Sequence, residues 1–267
     1  MTSIRQGLLV ILACAQFIVP NLARFIDGLT PIGEATGQTP LPEQPAGYAF
    51  LIWFVIFALI LVFAVRQVMP SQRDNPLYRS IGWLAVGAVA ANVAWMSVAI
   101  AIGNGWHLVV LIWTIFVFAV ATLLVLLARS SLWTGFDRWI TQPAFALLTG
   151  WISAAVWLNV SSVMREAAGG VPFGVNGLTF SLGIIGAMTM TGIIVSWLSR
   201  WNSFYLGTLC WAFVGVFIKA TTSDLNIEIA AAAATLAILT GGGALLSAAS
   251  EARADPTSTV NSPGAQQ

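Results

Sequence analysis

The chain has very little charge: Lys, Arg, Asp and Glu together make up 8% of its 267 residues. Soluble domains carry about 25% charged residues, so this chain could not cover the water-exposed surface of a globular protein of its size. A hydrophobic content of 58% excludes an intrinsically disordered chain. The formal net charge of +1 gives no electrostatic reason to expect nucleic acid as a partner. The class that remains is the polytopic integral membrane protein.

Residues that hold metals or perform acid–base catalysis are equally scarce. The sequence has one histidine, His107, and two cysteines, Cys14 and Cys210, and none of them falls in a metal-binding spacing. It has no glycine-rich phosphate loop, no Ser-His-Asp set and no pair of carboxylates inside an apolar segment. We therefore expect a protein that is not an enzyme, with no catalytic residues, no metal site and no required cofactor.

Long hydrophobic runs are what the chain has instead. A transmembrane helix needs about 20 mostly apolar residues. Eight windows meet this requirement: 4–25, 48–68, 80–102, 107–128, 140–163, 177–199, 202–220 and 226–248. The sequence predicts an all-α bundle of about eight helices in a lipid bilayer. The first window stays open to a second interpretation, because Arg5, an apolar run and Ala13-Cys14-Ala15 also fit a secretory signal with a cleavage site.

Basic residues predict the orientation of the bundle, because they concentrate in cytoplasmic loops. With eight spans and a cytoplasmic N-terminus, eight of the 11 basic residues lie inside: Arg5, Arg66, Arg73, Arg79, Arg129, Arg138, Arg200 and Arg253. The other three lie outside: Arg24, Arg165 and Lys219. We expect both termini in the cytoplasm and a location in a bacterial inner membrane.

Tryptophan is abundant, with 12 residues, and its positions fall into two groups. Six lie near predicted helix ends, as in an interfacial belt: Trp83, Trp106, Trp133, Trp139, Trp197 and Trp201. The other six lie within predicted spans: Trp53, Trp95, Trp113, Trp151, Trp157 and Trp211. A tryptophan inside a span either packs against helices or lipid, or faces a bound ligand.

Two of the inner tryptophans share a local pattern. Trp53 and Trp151 each follow a Gln-Pro-Ala sequence, eight residues after its proline. This repeat suggests that both indoles face one cavity. Asn92 and Trp95 share a helix face because they are three residues apart, and Asn159 borders the face of Trp151. Each asparagine either hydrogen-bonds a neighbouring helix or contacts a ligand.

These residues also resemble the TspO/MBR family, the tryptophan-rich sensory proteins and translocator proteins. Pro45-Ala46-Gly47-Tyr48-Ala49-Phe50-Leu51-Ile52-Trp53 is similar to the start of the family's second helix. Ala91-Asn92-Val93-Ala94-Trp95 is similar to the Asn-x-x-Trp of its third helix. Pro143, Gly150-Trp151-Ile152-Ser153-Ala154-Ala155 and Asn159 resemble its fifth helix. The resemblance covers about residues 1–165.

The resemblance implies a five-helix core that binds a flat apolar ligand beneath its first long loop. The family binds porphyrins, haem-like tetrapyrroles and, in some members, sterols. It is assigned roles in sensing, in transport and in light-driven porphyrin breakdown, and the last of these would make the protein an enzyme. The ligand-binding residues that the resemblance implies here are Trp53, Asn92, Trp95, Trp151, Ala154 and Asn159. Porphyrin or haem is then a ligand, and a homodimer is an expected assembly.

The chain departs from the family's short members in its C-terminal part. We divide it into a five-helix domain at 1–165, a three-helix segment at 166–250 and a disordered polar tail at 251–267. The proline-rich loop at 27–47 is interpreted either as a lid or as a plain connector. Two functions stay open: a receptor or sensor for a small apolar ligand, and a permease for a neutral or amphipathic substrate whose cavity is shared between the two parts.

Overall fold

The computed structural model describes residues 2–35, 41–223 and 226–253. Within these ranges there is no strand, and eight helices are long and apolar enough to cross a membrane. We label them α1 (Thr2–Ile18), α2 (Ile52–Val68), α3 (Pro76–Ile102), α4 (Trp106–Ala128), α5 (Gln142–Ala167), α6 (Gly177–Leu198), α7 (Ser203–Thr222) and α8 (Ile227–Arg253). The prediction of an all-α polytopic bundle is confirmed, and each predicted window coincides with one helix.

Shorter helical turns join the long helices. A 3₁₀ turn at Val19–Arg24 extends α1, a single helical turn follows at Ile32–Ala35, and a 3₁₀ turn at Gly47–Leu51 leads into α2. A π-helical turn at Asp137–Thr141 leads into α5. We call the end of the bundle that carries the α1–α2 connection the loop end. Pro40, within the loop interpreted as a lid, lies outside the described residues.

Asparagine caps explain where several helices begin, because a side-chain oxygen at the N-cap accepts from backbone N–H groups that would otherwise be unpaired. Asn75 Oδ1 accepts from the N–H of Leu77 at 2.9 Å. With Pro76 in the first turn, this cap starts α3 four residues before the predicted window. Asn176 and Asn202 cap α6 and α7 in the same way.

The first five helices close into a ring in the order α1, α2, α5, α4, α3. The span that includes α5 is the most buried of the eight, with 72% of its most apolar window inside the protein, against 22% for the spans of α1 and α8. This difference follows from position, since α5 is packed against α2 and α4 in the ring and against two further helices outside it.

The last three helices lie outside the ring but share one continuous apolar core with it. Both α6 and α7 pack on α5, and α8 packs mainly on α7. Polar contacts cross these boundaries: Trp157 Nε1 donates to Thr191 Oγ1 at 2.8 Å, and the hydroxyls of Ser153 and Tyr205 are hydrogen-bonded at 2.9 Å. Helix α8 continues through Arg253, so the first three residues of the expected tail are helical, and residues 254–267 lie outside the described ranges.

Gly150 allows α7 to approach α5 closely. A Cβ at this position would lie 2.7 Å from Thr208 Cβ and 3.0 Å from the carbonyl oxygen of Tyr205, both on α7. The small residue therefore admits a neighbouring helix.

We predict that Gly150→Ala destabilises the protein. Overpacking costs about 1–3 kcal/mol, and the better helix propensity of alanine offsets about 1 kcal/mol of this. Thermal unfolding of the purified protein in detergent should occur at a lower temperature than for the wild type. The matched control is Gly186→Ala on α6, where no heavy atom lies within 4 Å of the added Cβ. Equal melting temperatures for both variants would contradict the packing argument.

Candidate ligand-binding cavity

A single cavity inside the ring brings together all six residues that the sequence singled out. Trp53 lines it from α2, Asn92 and Trp95 from α3, and the remaining three, Trp151, Ala154 and Asn159, from α5. The cavity lies toward the loop end, since Trp53 is close to the start of the span Gly47–Val68. Leu41, Gln44 and Pro45 of the connection before α2 line it at that end, and we call this part of the connection its cover.

Other lining residues were not identified from the sequence. They are Leu41, Gln44, Pro45, Phe50, Asn104, Ile112, Ile115, Ile152, Ala155, Leu158 and Ser162. Most are apolar side chains in an apolar chain, and their orientation depends on how the helices pack. The Gln-Pro-Ala sequence before α2 was a usable signal, because Gln44 and Pro45 lie in the cover itself.

Trp151 is the centre of an aromatic cluster on one wall. Its ring meets that of Phe50 edge-on at 5.3 Å between centroids, and that of Trp53 at 6.4 Å with an interplanar angle of 80°. Trp53 also packs against Phe57 at 5.2 Å. Edge-to-face pairs at these separations are favourable contacts between aromatic rings. The two tryptophans of the repeated pattern therefore form one wall, and Trp151 is almost fully buried within it.

Asn159 cross-links two helices of the ring. Its Oδ1 accepts from Trp95 Nε1 at 3.2 Å, and its Nδ2 donates to the carbonyl oxygen of Ala155 at 2.9 Å. The first bond joins α3 to α5, and the second is an i−4 bond within α5. Of the two interpretations of this residue, helix bonding is the one that its contacts support.

Asn92 differs from Asn159 in having an unpaired donor. Its side chain is 1% exposed, and its Nδ2 has no hydrogen-bond partner among the described residues. A buried donor left unpaired costs about 1–3 kcal/mol. Since Asn92 also lines the cavity, it could donate a hydrogen bond to an oxygen atom of a ligand.

The remaining tryptophans separate by exposure only in part, because Trp211 of the inner group is exposed and Trp133 of the helix-end group is half-buried. Five of those near helix ends are exposed: Trp83, Trp106, Trp139, Trp197 and Trp201. Inside the spans, Trp113 and Trp157 meet edge-on at 5.6 Å and pack helix against helix. Only part of the inner group therefore belongs to the cavity wall.

The cavity is small, and its described lining residues include no axial ligand for a haem iron. Its volume is about 70 Å³, whereas pockets for drug-sized ligands measure about 300–1,000 Å³. A large ligand therefore requires the wall or the cover to move. The described lining residues include no His, Cys or Met, so a haem iron would receive no axial ligand from them. Among the described residues as a whole, no cluster of His, Cys, Asp and Glu could hold a metal ion.

Comparison with known proteins identifies a family. A family model described as TSPO-like protein matches residues 7–245, which include six of the eight membrane helices entirely and most of α1 and α8. The match thus extends well beyond the part of the chain in which the sequence motifs lie. No curated protein and no solved structure matches the chain.

The two asparagines should respond oppositely to the same substitution. Asn159→Leu leaves Trp95 Nε1 without its acceptor and should cost about 1–3 kcal/mol. Asn92→Leu removes a donor that is already unpaired, so stability should be unchanged or higher. Thermal unfolding of the two variants and the wild type in one detergent measures this. A loss of stability in Asn92→Leu as large as in Asn159→Leu would show that the Asn92 amide is paired.

Proposed function

The chain belongs to the TSPO-like protein family, and on that premise we propose that it binds a flat apolar ligand in the cavity. The ligand class is a porphyrin or other tetrapyrrole, or a sterol-like molecule, and the protein acts as a sensor, regulator or transport facilitator in the membrane. The observation that carries the proposal is the aromatic wall of Trp53 and Trp151, which shares one cavity with the unpaired donor of Asn92.

The chemistry of the wall suits such a ligand. A macrocycle with an apolar face stacks on indole and phenyl rings, and the small side chains of Ala154 and Ala155 leave room for it to approach α5. Asn92 Nδ2 would donate to a carboxylate, carbonyl or hydroxyl oxygen at the edge of the ligand. Mostly apolar walls with a few placed polar groups are typical of small-molecule pockets.

The absence of an axial iron ligand among the described lining residues makes the porphyrin ring itself the recognised feature. Binding would depend on stacking and on one edge hydrogen bond, and little on a central iron. Metal-free protoporphyrin IX is therefore the appropriate first probe.

The permease alternative receives less support from the position of the cavity. A carrier that alternates between two halves needs a site at their interface. Here the lining residues lie between Leu41 and Ser162, so the ring and its cover form the cavity without α6, α7 or α8. For orientation we propose cytoplasmic termini in a bacterial inner membrane, which places the loop end and the cavity cover on the outer side.

We predict saturable quenching of tryptophan fluorescence when protoporphyrin IX is added to the purified protein in detergent. Trp53→Phe and Trp151→Phe should each weaken binding about 2- to 10-fold, because a well-placed aromatic contact is worth about 0.5–1.5 kcal/mol. The midpoint of the quenching curve measures the dissociation constant.

The control is Trp197→Phe on α6, whose side chain is exposed and lies far along the chain from the cavity residues. It should bind as the wild type does. If quenching is not saturable, or if all three variants show the same midpoint, the cavity is not a tetrapyrrole site, and uptake of neutral substrates into liposomes becomes the next measurement.

A further inference from the structure

The segment 41–49, which covers the cavity, is attached to α7 by three hydrogen bonds to its backbone. Lys219 Nζ donates to the carbonyl oxygen of Leu41 at 2.7 Å. The N–H of Ala46 donates to the carbonyl oxygen of Gly215 at 3.0 Å. Trp211 Nε1 donates to the carbonyl oxygen of Ala49 at 2.9 Å. These bonds tie both ends and the middle of the segment to one helix outside the ring.

Close packing supports the same attachment. A Cβ at Gly215 would lie 2.8 Å from Pro45 Cβ and 2.9 Å from Ala49 Cβ, so only glycine allows the segment to lie this near to α7. Alternate side chains of the segment, Leu41, Glu43 and Pro45, are buried. The segment is thus seated on the protein along its length.

A buried carboxylate fixes the centre of the segment. Glu43 is fully buried, and its two oxygens accept hydrogen bonds from Ser161 of α5 and Ser181 of α6, the latter at 2.7 Å. Arg165 Nη2 lies 3.5 Å from Glu43 Oε2 and donates to Ser181 Oγ at 3.0 Å. The guanidinium also lies over the ring of Phe180 on α6, 4.8 Å from its centroid.

We propose that residues 41–49 form a lid over the cavity and that ligand exchange requires its detachment. In this proposal α7 holds the lid at Gly215, while α5, through Ser161 and Arg165, and α6, through Ser181, hold Glu43. This assigns a role to the added helices: they do not line the cavity, but they retain its cover. Three residues of the same segment line the cavity, Leu41, Gln44 and Pro45. The statement on ligand exchange rests on the proposed function, whereas the attachment of the lid does not.

Hydrogen–deuterium exchange of the full chain in detergent measures the attachment without any ligand. Glu43→Gln removes the charge that Arg165 and the two serines surround. Loss of one partner of a buried ion pair is strongly destabilising, because the other charge stays buried without compensation. Exchange of peptides covering 41–49 should then rise about tenfold or more, because local opening sets the exchange rate. The matched control is Glu34→Gln, an exposed acid of the same α1–α2 connection, which should exchange as the wild type does.

A second variant weakens the attachment of the lid by steric crowding instead of loss of charge, in case Glu43→Gln fails to fold. Gly215→Ala adds a Cβ against Pro45 and Ala49 and leaves the charges intact. Its control is Gly207→Ala on the same helix, where no heavy atom lies within 4 Å. Faster exchange at 41–49 in Gly215→Ala, and not in Gly207→Ala, supports the attachment. Unchanged exchange in the folded lid variants, or an equal rise in the controls, overturns it.

The role of the lid in ligand exchange is read from stopped-flow quenching with protoporphyrin IX. Both lid variants should bind and release the porphyrin about tenfold faster than the wild type, because opening precedes entry. Faster hydrogen exchange with unchanged porphyrin rates would overturn the gating role and leave the attachment standing. If the wild type binds no porphyrin at all, the proposed function fails, and the exchange data still decide whether the segment is held at Glu43 and at Gly215.

Discussion

The burial of α5 on nearly all sides is the constraint on which the rest of the structure depends. This helix completes the ring with α2 and α4 and also carries α6 and α7 on its outer face. A helix with so many neighbours needs small side chains where backbones approach, and Gly150 meets α7 while Ala154 faces the cavity. One helix therefore connects the cavity wall, the ring and the added helices. A substitution that changes side-chain volume on one of its faces will alter the packing on the others.

In a lipid bilayer, polar side chains inside the bundle must find hydrogen-bond partners within the protein. Trp95 and Asn159 pair across the ring, and Ser153 and Tyr205 pair between α5 and α7. Several buried polar atoms are unpaired among the described residues, including both amide atoms of Gln16 and of Gln67. Asn92 differs from these residues because it also lines the cavity. Its position in the wall of the cavity gives that unpaired group a physical explanation, since a bound oxygen atom would complete the pairing.

The sequence predicted the helices well because long apolar runs alone determine them. It also singled out Trp53, Trp151 and four further lining residues through a local repeat and a family resemblance, and the structure places them together. It could not predict that Asn159 is paired and Asn92 is not. That difference arises because Asn159 of α5 accepts a hydrogen bond from Trp95 of α3. It missed Glu43 and Arg165 for a similar reason. They lie far apart in the chain, and only the folded structure shows that they meet.

The position of Glu43 explains how a buried ion pair can secure a lid that still opens. Separating such a pair inside a protein is expensive, about 3–5 kcal/mol when one partner is left buried without the other. Glu43 lies in a connection at the loop end, so a detaching lid carries its carboxylate into water, where hydration offsets much of that loss. Arg165 stays near Ser181 and over Phe180, which retain part of its contacts. Opening then costs less than unfolding of the bundle, because the helices and their apolar core remain in place while only the segment moves.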